Sequence, residues 1–196
     1  MKKTVSIIFI ILVGFASSLF AESSKSIKRI SVGKENAKIT IITYESLTCG
    51  HCADFHKNVY PDLKKDFIDK GLVKIEFRNF PLDIAAFNAS KIGQCNNDKN
   101  PDVLNILFRG QKKWAKGKTP EEATENLKKF LLDMGIGIDF EKCLSDKNIE
   151  DYVLNDRIEG VKKFKVNATP TIIINDKKFE KALNYKNLKK YLEKLI

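Results

Sequence analysis

Apolar residues recur along this chain at two periods, one of strands and one of helices. Residues 38–44, Lys-Ile-Thr-Ile-Ile-Thr-Tyr, form a β-branched run, the pattern of a strand buried on both faces. Residues 72–80 alternate instead, with Val73, Ile75 and Phe77 set against Lys74, Glu76 and Arg78. That pattern predicts a strand with one buried face, or one near a sheet edge. Between the two, Cys52, Phe55, Val59, Leu63 and Phe67 recur at spacings of three and four, the stripe of a helix. Pro61 predicts a kink inside it and Gly71 its stop. Strand, helix and strand in this order make the unit of a parallel sheet.

From Leu82 to about Phe164 the period is helical throughout. Ala85, Ala86, Ala89, Ile92 and Cys95 mark one face, and Val103, Leu104, Leu107 and Phe108 another. Thr119-Pro120-Glu121-Glu122 reads as an N-cap, a first-turn proline and a capping glutamate, with Leu127, Phe130, Leu131 and Met134 following. Val153, Leu154, Ile158 and Val161 mark a last stretch. Four or five short helices packed as a cap are expected. Thr171-Ile172-Ile173-Ile174 then returns to strand, Asn175-Asp176 to a turn, and Lys177 to Glu180 to a hairpin partner. A final helix starts near Asn184, with Leu188, Tyr191, Leu192 and Leu195 as its buried stripe. The pattern predicts an α/β fold whose βαβ and ββα halves share one sheet, with an all-helical domain inserted between them.

The N-terminus stands outside this pattern. Met1-Lys2-Lys3 is basic, Val5 to Phe20 is apolar, and Leu19-Phe20-Ala21 precedes a charged, serine-rich stretch. These are the three parts of a secretory signal peptide cleaved after Ala21. The alternative is a membrane anchor, for which the strongly apolar core falls short of the ~20 residues a bilayer span needs. The expected organisation is therefore 1–21 as signal peptide, 22–81 and 165–196 as the two parts of the α/β domain, and 82–164 as the helical insertion. A monomer in the periplasm is expected.

Loss of residues 1–21 removes two lysines and no acid, taking the net charge from +10 to +8. The charge is dispersed, with one small cluster at Lys112, Lys113, Lys116 and Lys118. No nucleic-acid-binding module accompanies it, and it reads as a solvated face with a lean toward membrane surfaces. With 43% hydrophobic and 31% charged residues, the composition is that of a folded globular protein.

Four cysteines carry the candidate chemistry: Cys49, Cys52, Cys95 and Cys143. Cys49-Gly50-His51-Cys52 lies between the first strand and the start of the helix. A thiolate, not a thiol, performs exchange, and a helix N-terminus favours it through free N–H groups and the dipole. His51 adds positive charge or a hydrogen bond. Cys49, before the helix, is the expected attacking sulfur, and Cys52, one turn in, the resolving one. Zinc ligation by this pair is the alternative, but structural zinc sites usually show a second close pair, and Cys95 and Cys143 are far apart in sequence. These two are open to three readings: buried free thiols, a structural disulfide, or a second redox pair. An oxidising compartment favours the disulfide. His56 reads as a surface or edge residue one position past the apolar stripe, and Trp114 as packing of the helical block.

The dithiol motif between strand and helix, Thr169-Pro170 opening a late strand, and the helical block between them together resemble the DsbA family of the thioredoxin superfamily, over residues 27–196. The resemblance implies a thioredoxin-like fold and a cis peptide bond at Pro170 facing the dithiol. It further implies that Thr169 and Pro170 bind an extended substrate by strand addition. It implies an oxidase that passes its disulfide to reduced exported proteins, needs no cofactor or metal, and is restored by a membrane quinone-linked thiol oxidase. One departure stands out: family members often carry an acid six residues before the first cysteine. Here that position is Thr43 and the nearest acid is Glu45, so the usual buried proton acceptor is absent or displaced. Thr169 itself does not separate an oxidase from an isomerase. A disulfide isomerase or reductase using the same dithiol, and a non-catalytic chaperone for exported chains, are the competing functions.

Overall fold

The computed structural model describes residues 27–95 and 102–196, so the expected signal peptide lies outside the described residues. Strand β2 (Ile39–Glu45) runs through the middle of a five-stranded sheet. It lies parallel to β3 (Val73–Asn79) and antiparallel to β4 (Thr171–Ile174). Strand β1 (Ile30–Val32) flanks β3, and β5 (Lys177–Lys178) flanks β4. Side chains alternate across a strand, and both faces of β2 are covered. Ile39 and Ile41 enter the larger core with Phe55, Leu63 and Leu188, while Ile42 and Tyr44 enter a smaller one with Phe80, Val166 and Ile173. This is why residues 38–44 show no polar alternation. Strand β3 does alternate, with Val73, Ile75 and Phe77 buried. Strand β1 escaped the sequence reading because it is three residues long and gains its place only by pairing Ile30 and Val32 with Phe77 and Ile75.

Helix α1 (Gly50–Asn58) starts directly after Cys49. It breaks at Val59 (φ −121°, ψ −49°) and resumes as α2 (Tyr60–Leu63), with Pro61 near its start, where a missing N–H costs nothing. A π-helical turn, Lys64–Ile68, follows, and Gly71 at φ +74° ends the segment. The predicted stripe Cys52, Phe55, Val59, Leu63 and Phe67 is buried throughout.

Among the described residues five helices separate β3 from β4: α3 (Ile84–Cys95), α4 (Val103–Trp114), α5 (Pro120–Asp133), α6 (Phe140–Ser145) and α7 (Lys147–Phe164). Helix α8 (Tyr185–Leu192), capped by the Asn184 side chain on the N–H of Asn187, closes the described chain. The Thr119 hydroxyl likewise caps α5. Trp114 is fully buried and its indole N–H donates to Leu107 O at 2.8 Å. The expected α/β architecture with an inserted helical block is the observed one.

The predicted face of α7 needs correction. Leu154, Ile158 and Val161 are 40%, 46% and 45% exposed, and the inward face carries Val153, Asp156 and Gly160 instead. Asp156 turns inward because it is fully used there. It pairs with Arg29 and accepts from the backbone and side-chain amides of Asn79 at 3.0 and 2.9 Å. Gly160 turns inward because a Cβ would stand 2.7 Å from the Tyr44 ring. Met134 is corrected too: it caps the end of α5 and is 52% exposed.

Cys95, at the end of α3, is bonded to Cys143 in α6, which removes both from the zinc alternative. The bond closes a loop with a sequence separation of 48 residues. In the chain-entropy description a loop of that size is worth up to ~4 kcal/mol. Replacing both with alanine is expected to lower the melting temperature by roughly 10 °C, at ~2–4 °C per kcal/mol for a domain of this size. Turnover at 25 °C should fall far less. Calorimetry beside an activity assay checks this, and free alkylation of both residues in the unreduced native protein would contradict it.

Candidate active site

The site is built where two chain segments meet at the end of β2. Pairing of Tyr44 with Thr171 lays the start of β4 beside the end of β2. The Thr169–Pro170 peptide, which is cis, therefore faces the loop that leads to Cys49. That loop is tied down along its length. The Thr48 hydroxyl donates to Asp83 at 2.6 Å, and Leu82 N–H donates to Ser46 Oγ at 3.3 Å. The Gln111 side-chain amide, from the last turn of α4, donates to Leu47 O at 2.8 Å and Cys49 O at 2.9 Å. Gln111 lies on none of the motifs read from sequence, and only the packing of α4 on α1 brings it there.

Cys49 is the N-cap of α1, half-buried, while Cys52 one turn later is fully buried; both are free thiols. The Cys49 thiol is pulled down to about 5, first by a hydrogen bond from Cys52 and then, against the cost of burial, by Thr169 and by the backbone N–H groups of Cys52 and His51. No acid stands in the first turn of α1 to oppose this. Thr169 serves both protonation states. Its carbonyl lies 3.3 Å from the Cys49 sulfur and accepts from the thiol, and its hydroxyl, buried and otherwise without a partner, is free to donate to the thiolate. Cys52 moves the other way: burial pushes its thiol far up, reinforced by the neighbouring Cys49 sulfur and the negative charge of Glu45. The two sulfurs are thereby separated into one that ionises readily and one that keeps its proton. His51 is exposed on the rim, and what it lends the Cys49 thiolate directly is its backbone N–H.

The expected place of His56 needs correction as well. It is 4% exposed, not a surface residue, because it lies one helical turn beyond Cys52 on the same inward side. Polar partners from two other elements compensate its burial. Nε2 meets Glu45 Oε2 at 2.9 Å, Nδ1 meets Asn105 Oδ1 at 2.9 Å, and the ring stacks on Phe108 at 4.1 Å. The Asn105 amide nitrogen donates to Asp102, which turns its oxygen toward the imidazole. Nδ1 is therefore placed to donate, and Nε2 faces the Glu45 carboxylate. Glu45 is 5% exposed, and its Oε1 is buried with no protein partner beside a cavity of about 10 Å³. Thr43 and Glu45 lie two residues apart and so on the same face of β2. Thr43 takes no acidic role; its hydroxyl contacts Glu76 O at 3.5 Å. The acid of this site has moved one pleat toward the dithiol.

Below the two cysteines opens a groove of about 470 Å³, lined by His51, Phe55, Val59, Thr169, Pro170 and Tyr185, among others. His51 of the dithiol motif and Thr169, whose carbonyl meets the Cys49 sulfur, both stand on its wall.

A family model described as thioredoxin matches residues 25–194. The crystal structure of Wolbachia pipientis alpha-DsbA1 superposes with a TM-score of 0.76 at 27% identity, over 87% of this chain and 92% of that one. Oxidised BdbD from Bacillus subtilis superposes with a TM-score of 0.69 at 26% identity, over 85% and 92%. Among curated proteins, disulfide bond formation protein D of Bacillus subtilis is 29% identical over 83% of this chain and 75% of its own. A putative protein-disulfide oxidoreductase of Rickettsia bellii is 28% identical over 74% of this chain, and the match spans only 56% of the relative.

Proposed function

The chain belongs to the thioredoxin superfamily, among its DsbA-like members, and from that membership we propose that it is an exported thiol–disulfide oxidoreductase that introduces disulfide bonds into exported proteins. The observation that carries this reading is the opposed pair of sulfurs, with Cys49 at about 5 and Cys52 pushed far up. A substrate thiolate attacks Cys49 of the Cys49–Cys52 disulfide. Their bond breaks, Cys52 takes a proton, and a mixed disulfide stands on Cys49. A second substrate thiol then displaces Cys49, which leaves as its stabilised thiolate. Two electrons and two protons are taken from the substrate. A good leaving thiolate makes the last step fast, and a stabilised reduced form makes the disulfide an oxidant.

Thr169 and Pro170 present backbone to an extended substrate lying in the groove below the dithiol. His51 flanks the entry to Cys49, and Glu45 takes or returns the Cys52 proton. The Cys95–Cys143 bond is structural and suits an oxidising compartment. The basic, apolar and small-residue succession of residues 1–21 supports export to the periplasm, with cleavage after Ala21. Among the described residues no helix is long and apolar enough to cross a membrane. Reoxidation falls to a membrane quinone-linked thiol oxidase.

The lowered Cys49 value also sets a pH dependence. A depressed thiol adds stability that is fully present above its unfolded value, ~8.5, and is lost as pH falls through the folded one. The reduced protein is therefore expected to be the more stable form at pH 7, with its advantage over the oxidised form closing as pH falls toward about 5. Thermal unfolding of both forms across that range checks it. An advantage that does not change with pH would remove the thiolate from the explanation. The redox equilibrium of the pair with glutathione separates the oxidase from a reductase or isomerase.

A further inference from the structure

Two grooves flank the segment that carries Cys49: His51 lines one, Thr48 lines the other, and the proposed function uses only the first. The second, of about 260 Å³, lies on the Thr48 side. Its floor is apolar: Ile84, Ala85, Ala115 and Pro120 line it, Ile84 is 60% exposed, and the adjacent Leu82 is 49% exposed. Its rim is basic. Lys116 and Lys118 line it, and Lys112 and Lys113 precede them on the last turn of α4, all four exposed. This is the lysine cluster of the sequence, and Gln111 fixes its place, since the same turn of α4 holds the carbonyls of Leu47 and Cys49. The nearby acids are engaged with the protein itself. Asp83 accepts from the Thr48 hydroxyl and from Ala86 N–H, and Glu122 accepts from Lys118 N–H. No salt bridge among the described residues takes up the four lysine ammonium groups. Two large apolar side chains left in water beside a reactive sulfur, under a rim of unpaired cations, fit a ligand that is apolar and acidic together.

We propose that this groove is a second peptide subsite, which selects substrate segments carrying an apolar side chain next to acidic residues on the flank of the reacting cysteine opposite Pro170. The proposal rests on the oxidoreductase reading and names a substrate preference within it. An extended chain crossing Cys49 enters one groove with one flank and the other groove with the other. From the sequence alone the lysines read as a solvated face leaning toward membranes; the groove that Lys116 and Lys118 share with Thr48, the residue before Cys49, gives them a peptide instead.

The test uses dithiol peptides, each oxidised to its disulfide while the Cys49–Cys52 disulfide takes up the two electrons and one proton, on Cys52; the second proton goes to solvent, because Cys49 stays a thiolate. Leu-Glu-Glu or Leu-Lys-Lys is placed before the first cysteine or after the second. At low salt the acidic peptide should react faster than the basic one at one of the two placements. The expected margin is roughly 5- to 20-fold, since each exposed charge pair supplies up to about fivefold. The margin should shrink in 0.5 M salt, where screening is stronger. Lys116→Glu with Lys118→Glu should reverse it, and Ile84→Ser should slow both peptides. Oxidation of dithiothreitol should be unchanged in every variant. Equal rates on acidic and basic peptides, with dithiothreitol oxidation intact, would overturn this inference alone. Lysine-dependent binding to phosphatidylglycerol vesicles but not phosphatidylcholine vesicles, without peptide discrimination, would give the face to a membrane and overturn it likewise. A protein that cannot oxidise dithiothreitol either would remove the oxidase reading and this inference with it.

Discussion

Cys49→Ser protein is expected to oxidise a reduced, unfolded test protein no faster than the uncatalysed reaction, whereas Cys52→Ser protein, offered a single-cysteine test protein as its mixed disulfide with glutathione, should accumulate a mixed disulfide between Cys49 and that protein, with glutathione leaving as the thiolate. The two cysteines differ so strongly in environment that their replacements should fail in different ways. Cys49 is the half-exposed sulfur whose thiol lies at about 5, next to His51 and facing Thr169, which both line the groove. A serine hydroxyl there neither ionises at neutral pH nor forms the bond that is exchanged. Cys52 is fully buried in α1 and cannot meet a protein substrate, but it is the protein's own thiol one helical turn from Cys49, able to displace a bound substrate that has no second thiol of its own. Without it the covalent complex has no intramolecular exit. Non-reducing electrophoresis and mass spectrometry of both variants read this directly. Full activity in Cys49→Ser would end the mechanism, and equal trapping by both variants would mean that the attacking and resolving roles are wrongly divided.

The second large effect lies at Glu45 and His56. The two are 4% and 1% exposed at their side chains and hold each other at 2.9 Å, so removing one leaves the other buried without its main partner. Breaking such a pair from one side costs ~3–5 kcal/mol. His56→Ala should therefore lower the melting temperature by roughly 10 °C or more. Glu45→Gln keeps the shape and an acceptor oxygen, and should cost less stability while removing the carboxylate whose charge acts on Cys52 and which we propose as its proton acceptor. Positioned acid–base groups contribute about 10²–10⁴ in rate. The step in which Cys52 attacks a preformed mixed disulfide should slow at least roughly tenfold in Glu45→Gln, with the deficit narrowing as pH rises. Stopped-flow release of a peptide from Cys49, across pH, checks it. A Glu45→Gln protein that loses stability but keeps its release rate and pH profile would reduce the pair to a structural role.

Why the sequence exposed some of this and hid the rest follows from the range of the interactions. Strands β2, β3 and β4 were visible because residues 39–45, 73–79 and 171–174 each carry their own β-branched or alternating pattern. The helix start at Gly50, the break around Pro61 and the start of the last helix near Asn184 were visible because they are local chemistry. The dithiol was visible for the same reason. His56 was hidden because its burial is compensated by Glu45 and Asn105, 11 and 49 residues away in sequence. The inward face of α7 was hidden because Asp156 and Gly160 look polar and small until Arg29, Asn79 and Tyr44 are set against them. A hydrophobic period places Leu154 and Ile158 inward; the partners available place them outward. The Cys95–Cys143 bond could only be one of three readings until packing of α6 on α3 brought the two sulfurs together.

The central claim is that this site is built to give its disulfide away, and the redox equilibrium of Cys49–Cys52 with glutathione at pH 7 tests it most directly. A Cys49 thiol at about 5 stabilises the reduced protein, so the account predicts a potential clearly less negative than the roughly −270 mV of thioredoxin. A potential at or below that value would contradict it, and would make the same dithiol a reductase.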